Sequence, residues 1–467
     1  MSFEIGNEPS AIRTPVTSVQ ESRLRYHAWA RSEGKNLRFL DDSLSFRFAG
    51  EFDAGAMERA VQAVCARHDS LTATYYYASS DEPPYQVLRP EHTPRLEFTD
   101  LATEVSGSTA ERVEVARAVL SASSRQRPPF DAAPQMFGDI IRLGRDDHVV
   151  TLFHPSLMMD HWGYDVFVRD LAAYYTAFAD GVTPALEPCM PFSAYARLEH
   201  ESLRNGAWDD TIEFWQEHYR GESPLPTFAL PGFGDDTARF LAGDELTGEL
   251  SDSTVAALRS VWQELAADGI TPYAFMLSAV LVLMHGLTKA DDIGILVPSA
   301  NRMDWEYQDT VGLFATISAP RFRAVGDRTF HELCSSVRKT LLSTLDHQQV
   351  SYHEMMRRLD PARHGRKSYE PALYFDYWLD VPDATEPVFG ATRSEPFSFS
   401  EPPAEQEGIA IVFHDDGAES LTFSLAFALR ILSRPNAERL ARDLEVIAFN
   451  AAVKPAASVT ELLGMLR

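Results

Sequence analysis

The chain has 467 residues, 45% of them hydrophobic and 24% charged. At roughly 100–200 residues per domain, that length makes two or three core-forming units, and the hydrophobic share is ample for large cores. A formal net charge of −26 repels nucleic acid and anionic membrane surfaces, so neither is expected as a partner.

Residues 15–20 begin the ordered part, and residues 44–48 read as a strand. Asp53 then caps a helix with Met57, Ala60, Val61, Val64 and Cys65 on one face. Arg67-His68-Asp69 ends it, and residues 71–75 form the next strand. Residues 102–123 read as one helix, and Pro128, Pro129 and Pro134 punctuate the loop that follows. An apolar strand, Val149-Val150-Thr151-Leu152-Phe153-His154, then runs into a short loop holding Ser156, Asp160 and His161. A helix comes next, with Phe167, Leu171, Tyr174, Tyr175 and Phe178 on one face. Polar groups set between a strand end and a helix start are a common way of holding chemistry on rigid elements.

Prolines at 184, 188, 191, 224, 226 and 231 mark residues 182–232 as a connector. Thr271-Pro272 starts a helix, with a capping hydroxyl and proline in the first turn. Its apolar run, residues 275–284, is far short of the roughly 20 residues a membrane span needs and reads as buried. Residues 293–297 form a strand, and Thr329 with Glu332 is a capping-box pattern opening a helix to about Leu345. Residues 374–381 and 409–413 read as strands, with Asp415-Asp416-Gly417 turning into 421–426. Helices from about Asn436 to Ala451 and from Ser458 close the chain. Mixed strands and helices in two halves indicate an α/β or α+β architecture. The expected division is a lobe over 1–181, the connector 182–232, and a second lobe over 233–467.

Cys65, Cys189 and Cys334 are scattered and odd in number, which points to a reducing cytoplasm rather than a disulfide framework. The opening Met1-Ser2-Phe3-Glu4 lacks the basic and apolar regions of a secretion signal. No Cys/His cluster has zinc spacing, so no metal is expected.

The stretch around Asp160 resembles the core motif of the condensation-domain superfamily of nonribosomal peptide synthesis, relatives of chloramphenicol acetyltransferase. That motif reads His-His-x-x-x-Asp-Gly-Trp-Ser before an amphipathic helix. Asp160 and Trp162 fall in register, and Leu171 and Tyr174 match the helix. Pro155 and Ser156 stand where the two histidines belong, His161 replaces the glycine, and Gly163 the serine. The likeness extends along the chain. Pro15-Val16-Thr17-Ser18-Val19-Gln20 is similar to Pro-Leu-Thr-x-x-Gln, and Arg67-His68-Asp69-Ser70-Leu71-Thr72 to Arg-His-Glu-x-Leu-Arg. Phe192-Ser193-Ala194-Tyr195-Ala196 stands for Tyr-x-Asp-Tyr-Ala, and Asn301-Arg302 for a Gly-Arg pair. The segment from Val311 to Arg321 resembles Ile-Gly-x-Phe-Val-Asn-Thr-Leu-Pro-Leu-Arg, with Thr316 for Asn; His347-Gln348-Gln349-Val350-Ser351-Tyr352 resembles His-Gln-Asp-Val-Pro-Phe.

The resemblance implies two acetyltransferase-like lobes in a V-shaped pseudo-dimer with a tunnel at their junction. Tyr164, Thr316, Ser318 and Arg302 are placed along that tunnel. Substrates arrive on the phosphopantetheine of an acyl or peptidyl carrier protein, and the protein has no cofactor of its own. The family aspartate pairs with an arginine; with Thr72 where the second arginine belongs, either Asp160 has lost that partner or Arg67 reaches it.

The expected base is missing, which leaves three candidates. Ser156 needs an activating neighbour to be a nucleophile. His161 begins the helix, whose positive end favours neutral imidazole. His154 shares the face of Ser156 if the strand persists that far. Each also has a plain reading as a polar residue filling a hydrogen-bonding niche. Losing a base removes about 10²–10⁴-fold, whereas alignment contributes effective molarities of about 10⁵–10⁸ M. Two functions stay open. One is a free-standing enzyme of natural-product assembly, joining a carrier-bound thioester to an amine or hydroxyl acceptor or cyclising it. The other is a non-catalytic module that binds a carrier protein or recruits a tailoring enzyme. Arg357, Arg358, Arg363, Arg366 and Lys367, opposed only by Asp360, form a basic patch suited to an acidic carrier.

Overall fold

The computed structural model describes residues 12–32, 41–77, 82–220, 242–361, 372–379, 387–400 and 408–466. Strand β1 (Ile12–Pro15) leads to helix α1 (Ser18–Ser32), and β2 (Asp41–Ala49) to α2 (Ala54–Arg67). Asp53 caps α2 by accepting from the Ala56 N–H, and the predicted apolar face is buried. The strand expected over 71–75 starts later, as β3 (Ala73–Tyr76), because Asp69–Thr72 forms a 3-10 turn. Strands β4 (Tyr85–Leu88) and β5 (Leu96–Asp100) follow.

The single helix expected over 102–123 is broken into α3 (Leu101–Glu104) and α4 (Thr109–Ser123). The Ser108 hydroxyl accepts from the Glu111 N–H, and the Ser108 N–H donates to the Glu111 carboxylate in return, a capping box that restarts the helix. Next come β6 (Phe137–Gly144), β7 (Asp147–Pro155) and α5 (His161–Ala179). The proline-rich connector contains two helices, α6 (Phe192–Asn205) and α7 (Asp209–Tyr219).

Strand β8 (Gly243–Glu249) and helix α8 (Asp252–Leu265) precede α9 (Pro272–Thr288), which Thr271 caps and in which every residue from Ala274 to Met284 is buried. In place of one strand over 293–297 there are two, β9 (Asp292–Gly294) and β10 (Val297–Ser299). They pair with β12 (Arg321–Arg323) and β11 (Thr316–Ser318) respectively. Helices α10 (Phe330–Leu345) and α11 (Tyr352–Leu359) lead to β13 (Leu373–Leu379) and β14 (Arg393–Pro396). The chain ends with the hairpin β15 (Ile409–Asp415) and β16 (Leu421–Ala428), then α12 (Arg434–Val453) and α13 (Val459–Leu463). Among the described residues, no single helix is long and apolar enough to cross a membrane.

These elements form two units, the mixed α/β class expected from the sequence. The first holds a five-stranded sheet ordered β14-β2-β7-β6-β5, with β5 and β6 parallel and the other pairs antiparallel. Alternation along β7 feeds two cores. Val150 and Leu152 pack with α2 and α5, whereas Val149 and Phe153 pack with Leu120 of α4. The second unit holds the sheet β13-β15-β16-β8 with α8, α9, α10 and α12 around one core.

The units are interleaved along the chain. The first takes residues up to Ala207, then Arg302–Ala315, then the segment carrying β14; the second takes the rest. The sequence had placed both returning segments in the second lobe and drawn a connector at 182–232. Pairing of β14 on β2 is what returns its segment to the first unit.

Candidate functional site

Strand β7 ends at Pro155, and a tight turn carries the chain to Asp160, the cap of α5. One carboxylate oxygen of Asp160 accepts from the Gly163 N–H at 2.7 Å and from Arg302 Nη2 at 3.1 Å. The other accepts from the Phe314 and Ala315 N–H groups at 2.9 and 2.8 Å. The Asp160 N–H donates to the Gly312 carbonyl at 3.1 Å. Asp160 therefore staples the start of α5 to the segment 312–315. Gly163 sits in the same close approach, since a Cβ there would lie 3.1 Å from the Gly312 carbonyl oxygen.

Arg302, expected among the tunnel residues, is instead part of this staple. Its side chain is 1% exposed, and Nη1 donates to the carbonyls of Tyr307 at 2.5 Å and Thr310 at 2.8 Å. Its guanidinium lies 4.1 Å from the Phe314 ring centroid. Burial pushes the Arg302 pKa down, and the Asp160 charge opposes that shift. Neither open reading of the Asp160 partner holds: the partner is Arg302, while Arg67 Nε reaches Asp170 Oδ2 at 2.8 Å. Trp162 is 43% exposed, and its Nε1 donates to the Gln308 carbonyl at 3.0 Å.

The three candidates for the chemistry occupy different environments. Ser156 lies just past β7, half-buried, with Arg23 Nη1 donating to its hydroxyl and to its carbonyl, each at 2.9 Å. One turn earlier on α1, Gln20 Nε2 donates to the Leu157 carbonyl at 2.8 Å. Sequence reading had flagged Gln20 in the opening motif and missed Arg23. Its position three residues on, facing the same loop, was the available signal.

His154 is 1% exposed. Its Nδ1 lies 3.2 Å from the Pro155 carbonyl, which fixes the proton there and leaves Nε2 buried with no hydrogen-bond partner among the described residues. Burial holds its pKa below the ordinary histidine value, so the ring is neutral. His161 is exposed as the first residue of α5, its ring 6.1 Å from that of Tyr164. Burial pushes the Tyr164 phenol up to about 12.

Thr316 and Ser318 lie on β11 in the second unit, where Thr316 Oγ1 donates to the Gln348 carbonyl at 2.9 Å. Of the basic patch, Arg363, Arg366 and Lys367 lie outside the described residues. Arg357 and Arg358 are on α11, each with Nε on the buried carboxylate of Glu354, at 2.7 and 2.5 Å. Asp360 is thus not the sole opposing acid. Among the described residues, no group of three His, Cys, Asp or Glu side chains is set to hold a metal.

An α/β fold of two units, with a stapled strand–loop–helix bearing an aspartate and a tryptophan, defines an acetyltransferase-like protein of the condensation type. The condensation-domain family model matches residues 13–465, and the chain belongs to that family. It is 30% identical to the phosphinothricin tripeptide synthetase PhsB of Streptomyces viridochromogenes over 323 residues, 68% of this chain and 26% of that one. It is 26% identical to the chondramide synthase cmdD of Chondromyces crocatus over 323 residues, 67% of this chain and 8% of that one. The chain thus spans about a quarter or less of these relatives. In fold it matches the condensation domain of the Monacolin K polyketide synthase MokA, with a TM-score of 0.79 at 15% identity over 96% of this chain and 100% of that one. The X-domain in complex with OxyB from teicoplanin biosynthesis matches with a TM-score of 0.76 at 20% identity, over 99% and 98%.

Proposed function

We propose that this condensation-family protein is an acyltransferase of nonribosomal peptide or hybrid polyketide assembly. It forms an amide or ester, or closes a ring, from a thioester held on the phosphopantetheine of a carrier protein. The observation that carries this reading is the pairing of Ser156 with Arg23 where the family histidine belongs, on a scaffold whose Asp160 staple is complete. Arg23 donates to the serine oxygen, so the hydroxyl proton is left for another acceptor. A hydroxyl polarised by a guanidinium is a donor suited to the oxygen that becomes negative as an amine adds to a thioester. The chemistry then rests on alignment and charge stabilisation, with a neutral amine as its own nucleophile.

A loaded carrier protein and candidate acceptors, followed by mass spectrometry, test this. Ser156→Ala is expected to lower turnover by about 10²-fold with carrier affinity unchanged, and His161→Ala and His154→Ala to leave most of it. A loss confined to His161→Ala or His154→Ala names that histidine as the base instead.

The second reading is a docking module that recruits a tailoring enzyme. It is favoured by Pro155 and Ser156 standing where the motif histidines belong and by the fold likeness to the X-domain that was solved with OxyB. Saturable carrier binding with no product from any acceptor decides for it.

A further inference from the structure

We propose that Cys189 is a second reactive centre, a thiol that accepts an acyl group from a small thioester, with His68 taking its proton and Asp170 orienting the imidazole. Cys189 Sγ lies 3.6 Å from His68 Nδ1, and His68 Nε2 lies 2.9 Å from Asp170 Oδ2. Asp170 is 1% exposed and is gripped by three donors besides this one. Arg67 Nε reaches Oδ2 at 2.8 Å, and Arg169 Nε and Nη2 reach Oδ1 at 3.0 and 2.9 Å. Burial acts against its charge, but the bonds from His68 and Arg169 outweigh it and hold the carboxyl below its ordinary range. An ionised Asp170 fixes the His68 proton on Nε2, which leaves Nδ1 as an acceptor within reach of the thiol. Nucleophile, base and orienting carboxylate thus stand in the relation that activates a nucleophile by proton transfer.

Exposure singles out the same residue. Cys65 and Cys334 are buried, and burial pushes their thiols up to about 12. Cys189 is half-buried, in the loop ahead of α6. Burial raises its thiol pKa and lowers that of His68, so the resting pair is neutral thiol and neutral imidazole. Reaction then requires the base during attack rather than a standing thiolate. The Val311 N–H donates to the same Nδ1 at 3.3 Å, so the thiol shares that acceptor with it, and Cys189 Sγ lies 3.9 Å from the Arg67 carbonyl. Charged groups facing the thiol are Arg67, Asp170 and Asp69.

In the step proposed, the Cys189 sulfur attacks the thioester carbonyl and its proton passes to His68 Nδ1. The acyl carbon–sulfur bond to the departing thiol breaks, and that thiolate takes the proton from His68. One thioester is exchanged for another with no oxidant or reductant. The Asp160 staple and the carrier protein take no part, so this site stands or falls apart from the reading above.

The whole chain is incubated with S-acetyl-N-acetylcysteamine and mapped by peptide mass spectrometry. A single adduct is expected on Cys189, released by hydroxylamine and absent from Cys189→Ser. His68→Gln is expected to slow adduct formation by about 10²-fold, the usual contribution of such a base. Wild-type rates decide the matter even where that variant fails to fold. Base assistance gives a level profile from about pH 7 to 9, whereas an unassisted thiol gains about tenfold per pH unit over that range. No adduct, an adduct elsewhere, or the rising profile overturns the proposal.

Discussion

At the residue scale, Asp160 does the work of a structural hub. Four donors converge on its carboxylate, and its side chain is 5% exposed while that of Arg302 is 1% exposed. Asp160→Ala removes the α5 cap, strands two backbone N–H groups and leaves a buried guanidinium without its counter-charge. Breaking one side of a buried pair costs about 3–5 kcal/mol, and urea unfolding is expected to show a loss of that size. Arg302→Met is expected to cost less at Asp160, which keeps three N–H donors, though the Tyr307 and Thr310 carbonyls lose theirs. Equal losses contradict this ranking. The cap was legible in sequence because it is local, an Asp three residues before Gly163. Its ionic partner was not, because Arg302 lies 142 residues away, and only the path of the 302–315 segment turns it inward. Arg67 was one open reading by motif position; the fold gave it to Asp170.

At the element scale, reading succeeded where caps are written in adjacent residues and failed where two signals overlapped. Asp53, Thr271, Thr329 and Ser458 each cap the helix expected of them. The stretch 102–123 was read as one helix across Ser106-Gly107-Ser108, although Gly107 takes a positive φ there and Ser108 restarts the helix. Helix α11 carries the consequence for docking. Glu354, 4% exposed, holds both Arg357 and Arg358, whose side chains are 50% and 28% exposed. Arg358→Glu, the obvious charge reversal, sets a second carboxylate against a buried one and weakens α11 itself. Arg357→Gln is the cleaner probe. It is expected to weaken binding of an acidic carrier protein severalfold at about 50 mM salt, and little at about 1 M, where the Debye length falls to about 3 Å. Affinity indifferent to this change removes α11 from the docking surface.

At the scale of the whole molecule, the interleaving of the two units was invisible in sequence, since β14 reads as part of the second half and pairs with the first. The units are also expected to differ in what acid does to them. Among the described residues, six histidines are held below their ordinary pKa, each chiefly by burial: His27, His68, His148 and His154 in the first unit, His218 and His347 in the second. A lowered folded pKa means that the unfolded chain binds the proton first. Their contribution is therefore complete above about pH 6.5 and is lost as pH falls below it. For His218 the loss continues to about pH 4. The net charge of −26 works the other way, because acid relieves its self-repulsion. Salt separates the two, since it screens surface charge and leaves buried imidazoles nearly untouched. In about 1 M salt, stability is expected to fall steadily from about pH 7 to 5. Hydrogen exchange, corrected for its intrinsic pH dependence, is expected to show the first unit opening ahead of the second, four histidines against two. His218→Gln then flattens the response of the second unit alone. Equal acid sensitivity in both units, or none in high salt, contradicts the assignment of the transition to buried imidazoles.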